Sequence, residues 1–452
     1  MGILSSVMDI RTVADDAADL IASFPRETLV RVISHYDADG ISAAAIICHA
    51  LQRAGYGFHA TLSKTGPSIF EKLQYEDNSL IIFSDMGSGQ LEEIEDLKCK
   101  VVICDHHVPL STAIQNGIHL NSHLVGFDGG RDACGAAMAF ALAISMDTGN
   151  ADLAWLAIAG AIGDRQGENG FHGYNQKILQ NAITKGYIEQ RQTLNLPPGP
   201  IQESLESCVH PFFISFSGKK DSSLSLLQSL EIDPHTPVHH LDDSVKNRLL
   251  DALQDQLATQ GVKASQDLME QVPFSQKMGN LSSFSSLLNA CGRLKQAGLG
   301  LSICLGDDNL IKEGQSIQTA YRRDILTGMQ QIEKQGVIQL GSLQYFTLEQ
   351  DTLGGTIAGL SLKYLPSVDQ SKPIFSLSTK EKKIHISGRT TQPLVQKGMD
   401  LASALRTAAQ TVGGQGGGHP IAAGASIPVG TEKEFLKTLD TTIRQTFKPK
   451  TN

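Results

Sequence analysis

The chain has 452 residues, of which 41% are hydrophobic and 19% charged. That length exceeds one ordinary domain, and that balance excludes a wholly disordered chain. Thirty-eight Lys and Arg against 47 Asp and Glu leave a net charge of -9, which at first sight argues against a polyanionic partner.

The N-terminal stretch MGILSSVMDIRTVADD has no basic segment followed by an apolar core, so no secretory leader is expected. Its MGILSS start fits the myristoylation pattern only formally and is taken as a chance match. No apolar run reaches the roughly 18–20 residues of a membrane span, so no membrane partner is expected. Residues 29–34 (LVRVIS) form a short β-branched run, followed by a turn and an apolar stretch at 41–54. Residues 80–84 (LIIFS) and 101–104 (VVIC) are two more buried-strand candidates, and such runs separated by helical segments predict a parallel sheet. Residues 135–146 and 151–162 are Ala-rich and read as buried helices, with Trp155 in the core.

The prolines of LNLPPGP, 194–200, predict a boundary. Residues 205–330 read as mostly helical, for example at 222–230 and 244–260. Phe212, Phe213 and Phe216 look exposed, so their stretch reads either as a docking segment or as a plain structural spacer, and His239-His240 reads as solvated. From residue 336 strand patterns return (VIQLGSLQYFTL, PIFSLST, KIHISGR), then a helix at 399–410 and the run TVGGQGGGHPIAAGASIP. The expected domains are 1–195, 196–335 and 336–452, an α/β architecture with a helical middle. Charge divides along the same lines. Residues 336–452 carry 13 Lys and Arg against 8 Asp and Glu, a net of +5, and the remainder is strongly acidic. Seven cysteines at 48, 99, 104, 134, 208, 291 and 304 form no CxxC, so a zinc site is not expected and a reducing cytoplasm is.

Each of the three N-terminal strands ends in acids or histidines: His35-Tyr36-Asp37-Ala38-Asp39-Gly40, Asp85-Met86-Gly87, and Asp105-His106-His107. Open α/β sheets bind ligands beyond the carboxyl ends of their strands. Asp164, in GAIGDRQG, is a fourth contributor. Carboxylates gathered at one rim repel one another unless a cation is bound, and mixed Asp/His donors suit Mn²⁺, with Mg²⁺ as the harder alternative. Gly40 opens a helix whose positive end favours phosphate.

HYDADG, SDMG, DHH after VVIC, and GAIGD occur in the order found in the DHH phosphoesterase superfamily, which this sequence resembles. The resemblance implies two divalent ions, Mn²⁺ or Mg²⁺. One would be held by His35, Asp37 and Asp85, the other by Asp39, Asp85, His106 and Asp164, with Asp85 bridging. His107 would touch the phosphate and Asp105 would orient its neighbours. The glycine run Gly413–His419 lacks the Lys-Ser/Thr end of a Walker loop. With the following AAGAS it resembles the glycine-rich motif of the DHH-associated C-terminal domain, so Gly416, Gly417, Gly418 and His419, with Ser387 and Arg389 upstream, would grip substrate. Asn289-Ala290-Cys291-Gly292-Arg293 resembles the NAAGR-type motif of RecJ nucleases, with Cys291 in place of a small residue, and adds Asn289 and Arg293 to the expected substrate contacts.

The most similar group is the archaeal-type RecJ homologues, whose relatives include GINS-associated nucleases and a eukaryotic helicase subunit. The implied activity is a metal-dependent exonuclease on single-stranded nucleic acid, DNA favoured, in repair or replication. A replication scaffold binding GINS or other replisome proteins, and a hydrolase of short oligonucleotides, are the alternatives.

Overall fold

The computed structural model describes residues 8–446 except 65, 113, 169, 263–267 and 350–352, so the MGILSS start lies outside the described residues. The chain forms two compact units, residues 1–192 with 271–318, and residues 193–270 with 319–452. Among the described residues no helix is long and apolar enough to cross a membrane.

The first unit is built on five parallel strands, β1 (Leu29–Ser34), β2 (Gly57–Leu62), β3 (Leu80–Ser84), β4 (Lys100–Asp105) and β5 (Gly117–Asn121). Their spatial order is β2-β1-β3-β4-β5. Both faces are covered, which is why the strands read as continuous apolar runs. The helices are α1 (Ile10–Ala22), α2 (Ala38–Arg53), α3 (Pro67–Leu73), α4 (Leu91–Glu95), α5 (Gly135–Met146) and α6 (Ala154–Gly163). Val30, Val32, Leu80, Ile82 and Val102 face the larger core with α1, α2, α5 and α6. Their neighbours Ile33, Ile81, Phe83, Val101 and Ile103 face α3 and α4. Period-2 alternation sorts each strand between the two cores. Trp155 is buried in the larger one, its ring 5.6 Å from that of Phe284. Gly160 lets α6 lie close on α5, because a Cβ there would sit 2.5 Å from the Cβ of Ala136.

Strand order reverses between β1 and β3, since the chain goes out to β2 and returns to add β3 on the other side. That reversal opens a crevice at the strands' carboxyl ends. Residues 271–318 cluster with this unit and include the helix Leu281–Arg293, which carries the NACGR sequence.

The second unit holds a six-stranded mixed sheet. Its strands are Ile338–Gln339, Gln344–Leu348, Ile374–Lys380, Lys383–Arg389, Gln415–Gly418 and Ala422–Pro428. Gln344–Leu348 pairs in parallel with Ile374–Lys380, and the other pairings are antiparallel. Phe375, Leu377, Ile384 and Ile386 pack with the helices Leu401–Gln410 and Glu432–Thr446. The glycine run is the edge strand of this sheet. Gly416 is obligatory there, because a Cβ would lie 2.8 Å from the carbonyl oxygen of Leu405.

Between the two boundaries, helices Lys220–Ser229 and Asp243–Thr259 form where helical patterning predicts them, and His239 and His240 are exposed. The expectation for the phenylalanines is overturned. Phe212 and Phe213 are fully buried and Phe216 is 5% exposed. Their partners come from distant sequence: Gln260 donates through Nε2 to the carbonyls of both Phe212 (3.0 Å) and Tyr364 (3.1 Å). These rings are core of the second unit and offer no docking face. Phe213→Ala is therefore expected to cost about 3–5 kcal/mol. It should appear as a clear drop in the melting temperature of the full chain, and unchanged melting would contradict the burial.

Candidate metal centre

The turn after β1 is shaped by helix initiation. Asp37 caps α2, its Oδ1 accepting from the Gly40 N–H at 3.1 Å, while its Oδ2 lies 2.8 Å from His35 Nδ1. Gly40 must be glycine, because a Cβ would sit 2.3 Å from the His35 carbonyl oxygen. Asp39, in the first turn of α2, is buried with its carboxylate on the amino end of α5. Its Oδ2 accepts from Gly135 N at 2.7 Å and its Oδ1 from Ala136 N at 2.9 Å. The unsatisfied N–H groups of a helix start are a natural seat for a carboxylate.

Asp85 follows β3 in the left-handed region, with φ 54°. Its N–H donates to the Cys104 carbonyl at 2.9 Å, so the turn is bonded to β4. Each of its oxygens faces a different imidazole: Oδ2 is 3.6 Å from His35 Nδ1 and Oδ1 is 3.1 Å from His106 Nε2. His106 Nε2 is also 3.8 Å from Asp39 Oδ2. Asp164, which caps the end of α6, places Oδ2 3.7 Å from His106 Nδ1.

The tautomer of His106 follows from its other contact. Nδ1 is 2.6 Å from the Gly129 carbonyl, which only accepts, so Nδ1 carries the hydrogen. In the neutral ring Nε2 is then a lone pair aimed at Asp85 Oδ1, and that buried oxygen has no hydrogen-bond partner. A neutral ring would leave two acceptors 3.1 Å apart in a buried site, which either a proton on Nε2 or a metal cation beside them relieves. The electrostatics of the cluster make the same demand. Burial, then the charge of Asp85, pushes the Asp39 carboxyl well above the usual range. Burial alone would lower His35, but Asp37 and Asp85 outweigh it and push the imidazole up to about 11. His106 is likewise raised, with Asp164, Asp85 and Asp39 overcoming burial. Without a metal the cluster binds protons; a divalent ion would take their place. The donors fall into overlapping groups with atoms within 4.8 Å of one another: His35, Asp37 and Asp85; Asp39, His106 and Asp164; and Asp85, Asp105, His106 and His107. Carboxylate with imidazole fits Mn²⁺ and also admits Mg²⁺.

Asp105 is fully buried and spends its oxygens on the frame. Oδ1 accepts from the His106 N–H (2.7 Å) and from His107 Nδ1 (2.8 Å), and Oδ2 from the Ser88 N–H (2.9 Å). Burial would raise its carboxyl, but the hydrogen bond and charge of His107 hold it well below the usual carboxylate range. His107 keeps 45% of its side chain exposed.

Several supporting groups escape sequence reading. Gln166 donates through Nε2 to both Asp164 Oδ2 and the Gly129 carbonyl, each at 2.7 Å, and Asn175 in turn donates to Gln166 Oε1 at 2.7 Å. Gln166 lies two residues past Asp164, a proximity that offered a signal. Asn121, at the end of the short strand β5, donates to the His107 carbonyl and to Ser88 Oγ, both at 2.8 Å. Nothing in the neighbouring residues marks it.

The remaining expected residues lie in two places. Asn289 accepts the Ala38 N–H through Oδ1 at 3.1 Å, and a Cβ at Gly292 would sit 2.0 Å from the Tyr36 carbonyl oxygen. The NACGR helix thus braces the turn that carries His35, Asp37 and Asp39, with Arg293 exposed at its end. In the second unit, Ser387 and Gly417 share a register row with Gly424. Arg389 pairs with Ala422, Gly416 and Gly418 flank Gly417 on the edge strand, and the His419 N–H donates to the Ala422 carbonyl at 2.9 Å. The structure brings these six residues to one corner of the sheet. The Arg389 guanidinium lies over the start of the helix Gly354–Tyr364, where a Cβ at Gly355 would meet its Nη2 at 2.4 Å.

Comparison with known proteins agrees with this anatomy. Residues 29–161 match the N-terminal domain of the DHH family and residues 342–445 match the DHHA1 domain. An uncharacterised protein of Methanocaldococcus jannaschii is 30% identical over 420 residues, covering 91% of this chain and 92% of that protein. Among solved structures, RecJ from Thermus thermophilus with Mn²⁺ aligns with a TM-score of 0.61 at 18% identity, over 98% of this chain and 55% of its own. This chain therefore spans about half the length of that RecJ. An exonuclease RecJ bound to manganese aligns at 0.60 and 17% identity, over 98% of this chain and 97% of its own. CDC45 from Entamoeba histolytica aligns at 0.63 and 13%, over 96% and 97%. At such identities the likeness is one of fold. The chain belongs to the DHH family, with a DHH domain followed by a DHHA1 domain in the fold shared by RecJ exonucleases and CDC45.

Proposed function

We propose that this protein is a metal-dependent phosphodiesterase of RecJ type that removes nucleotides from an end of single-stranded nucleic acid, with DNA favoured. The observation that carries the reading is Asp85, whose two oxygens face the imidazoles of His35 and His106. His35, Asp37 and Asp85 would hold one ion, and Asp39, Asp85, His106 and Asp164 the other. Two divalent ions in such a site, Mn²⁺ or Mg²⁺, supply an activated water and charge stabilisation for in-line displacement at phosphorus. The protein's own part is orientation. Gly129 fixes the His106 tautomer, and Asp105 clamps His107 through Nδ1 so that the ring's other edge serves a phosphoryl oxygen. Arg389, beside the glycine edge strand, supplies a forked contact to the substrate backbone. The donor set is intact, and this favours catalysis over a purely scaffolding role.

Metal binding should release protons. His35 and His106 are raised, so the metal-free protein holds protons on both at neutral pH, and an incoming ion must displace them. Apparent Mn²⁺ affinity is then expected to rise with pH and to weaken on acidification. Calorimetric titration in buffers of different ionisation enthalpy measures the release directly; a pH-independent affinity with no proton release would contradict the assignment.

Thorough chelation should abolish digestion of end-labelled single strands, and Mn²⁺ should restore it. Asp85→Ala and His106→Ala should lose both metal and activity. Asp105→Asn should retain metal with activity lowered about 10–100-fold. His107→Ala should also retain metal, and equal metal loss in the His106 and His107 variants would refute their separate roles.

Substrate affinity should fall with added salt if the basic DHHA1 domain binds phosphates. Arg389→Ala should weaken strand binding and flatten that dependence without altering metal content. Unchanged binding at every salt concentration would make Arg389 structural.

A further inference from the structure

The rim beside the metal cluster carries a feature that phosphate chemistry does not use. Directly after His107 the chain runs Val108-Pro109-Leu110, with Val108 72% and Leu110 70% exposed. Nine large apolar side chains are exposed among the described residues, and no other two of them lie within two positions of each other. Single exposed apolar residues need no explanation, but two of them two positions apart beside a charged site do.

The segment is pinned in place. The Leu110 N–H donates to the Ser88 carbonyl at 3.1 Å, and the His107 carbonyl accepts from Asn121 Nδ2 at 2.8 Å. Ser88 itself donates its N–H to Asp105 Oδ2. Pro109 restricts the backbone between the two apolar residues. The frame that orients His107 therefore also fixes Val108 and Leu110. On the other side of the cluster stands Tyr36, half-buried, its ring centroid 4.5 Å from that of His35. Tyr36 follows β1 and Val108 follows β4, and only β3 lies between those strands. Two strand spacings set the two sides roughly 10 Å apart, with Asp85 between them.

A charged centre flanked by apolar surface matches a substrate with both characters. A nucleotide joins a phosphate to a base with apolar faces, and such faces rest on aromatic and aliphatic side chains without regard to sequence. Inorganic polyphosphate has only charged oxygens and would gain nothing from Val108 or Leu110. We propose that Val108 and Leu110 form an apolar lip that bears the base of the nucleotide being released, selecting nucleotidyl substrates over inorganic polyphosphate. This rests on the nuclease reading above and adds how the site recognises its substrate.

The test uses the full chain with Mn²⁺ and short single strands whose terminal nucleotide, at one end or the other, is either normal or an abasic tetrahydrofuran analogue. The wild-type protein is expected to release the normal terminal nucleotide about tenfold faster, the scale of one base contact. Val108→Ser with Leu110→Ser should bring that ratio to about one, chiefly by slowing the normal strand, with metal content and melting temperature unchanged. Val108→Ile with Leu110→Ile should keep the preference, which separates an apolar surface from mere disturbance of the loop. A serine variant with the wild-type ratio, or a wild-type protein indifferent to the base, overturns the lip. A wild-type protein that binds Mn²⁺ yet digests neither strand overturns the nuclease reading, and the lip falls with it.

Discussion

One carboxylate sets the geometry of the whole rim. Asp85 stands at the end of β3, between β1 and β4, in a left-handed conformation that turns its side chain into the crevice. A bulkier residue would take that φ at greater cost, whereas the short Asp side chain tolerates it. Its oxygens then reach toward His35 on one side and His106 on the other. The neighbours are shaped around it. Gly135 cannot bear a side chain because a Cβ would lie 2.6 Å from the Asp85 Cβ, and the same glycine offers its N–H to Asp39. Sheet order, helix start and ligand direction are thus one constraint seen from three sides.

Charge explains why the supporting network is so fully bonded. Asp39, Asp85 and Asp105 are all buried within a short distance of one another. Asp105 is neutralised in place by backbone N–H groups and His107, so it contributes rigidity and little unmet charge. Asp39 remains short of positive charge, whereas Asp85 keeps its charge through His106 and His35, which outweigh the burial that would raise its carboxyl, so the cluster depends on positive charge at those two imidazoles. Such division of labour between ligands and the groups that hold them is the usual architecture of metal centres. Residues 336–452 have the opposite electrostatic character, so the net charge of -9 conceals an acidic part and a basic one.

Most candidate donors were legible in the sequence because they follow the ends of three strands, with Asp164 at the end of α6 as the exception. An apolar run followed by Asp or His is a local pattern, and the sheet's parallel order delivers all such ends to one edge. Burial of residues 212–216 was not legible, because three phenylalanines in a polar stretch look alike whether they dock a partner or fill a core. The decision came from Gln260, which bonds the carbonyls of Phe212 and Tyr364 across 48 and 104 residues of chain. The glycine run was equally ambiguous, since Gly416 is required by the close passage of the Leu405 carbonyl, and only the fold brings that carbonyl near.

By itself the sequence determined the fold class and the family and marked the candidate donor residues, all of which rest on side-chain chemistry at short spacing. Tertiary structure alone decided which atom of each donor points inward. His106 is set by the Gly129 carbonyl 23 residues away, the His107 turn by Asn121, and the Asp39 carboxylate by the amino end of α5 nearly a hundred residues on. Those partners are backbone groups and one amide, which every sequence contains in plenty. Only when β4, β5 and α5 pack around one crevice do they acquire a direction, because hydrogen bonds act over about 3 Å and carry no signature along the chain.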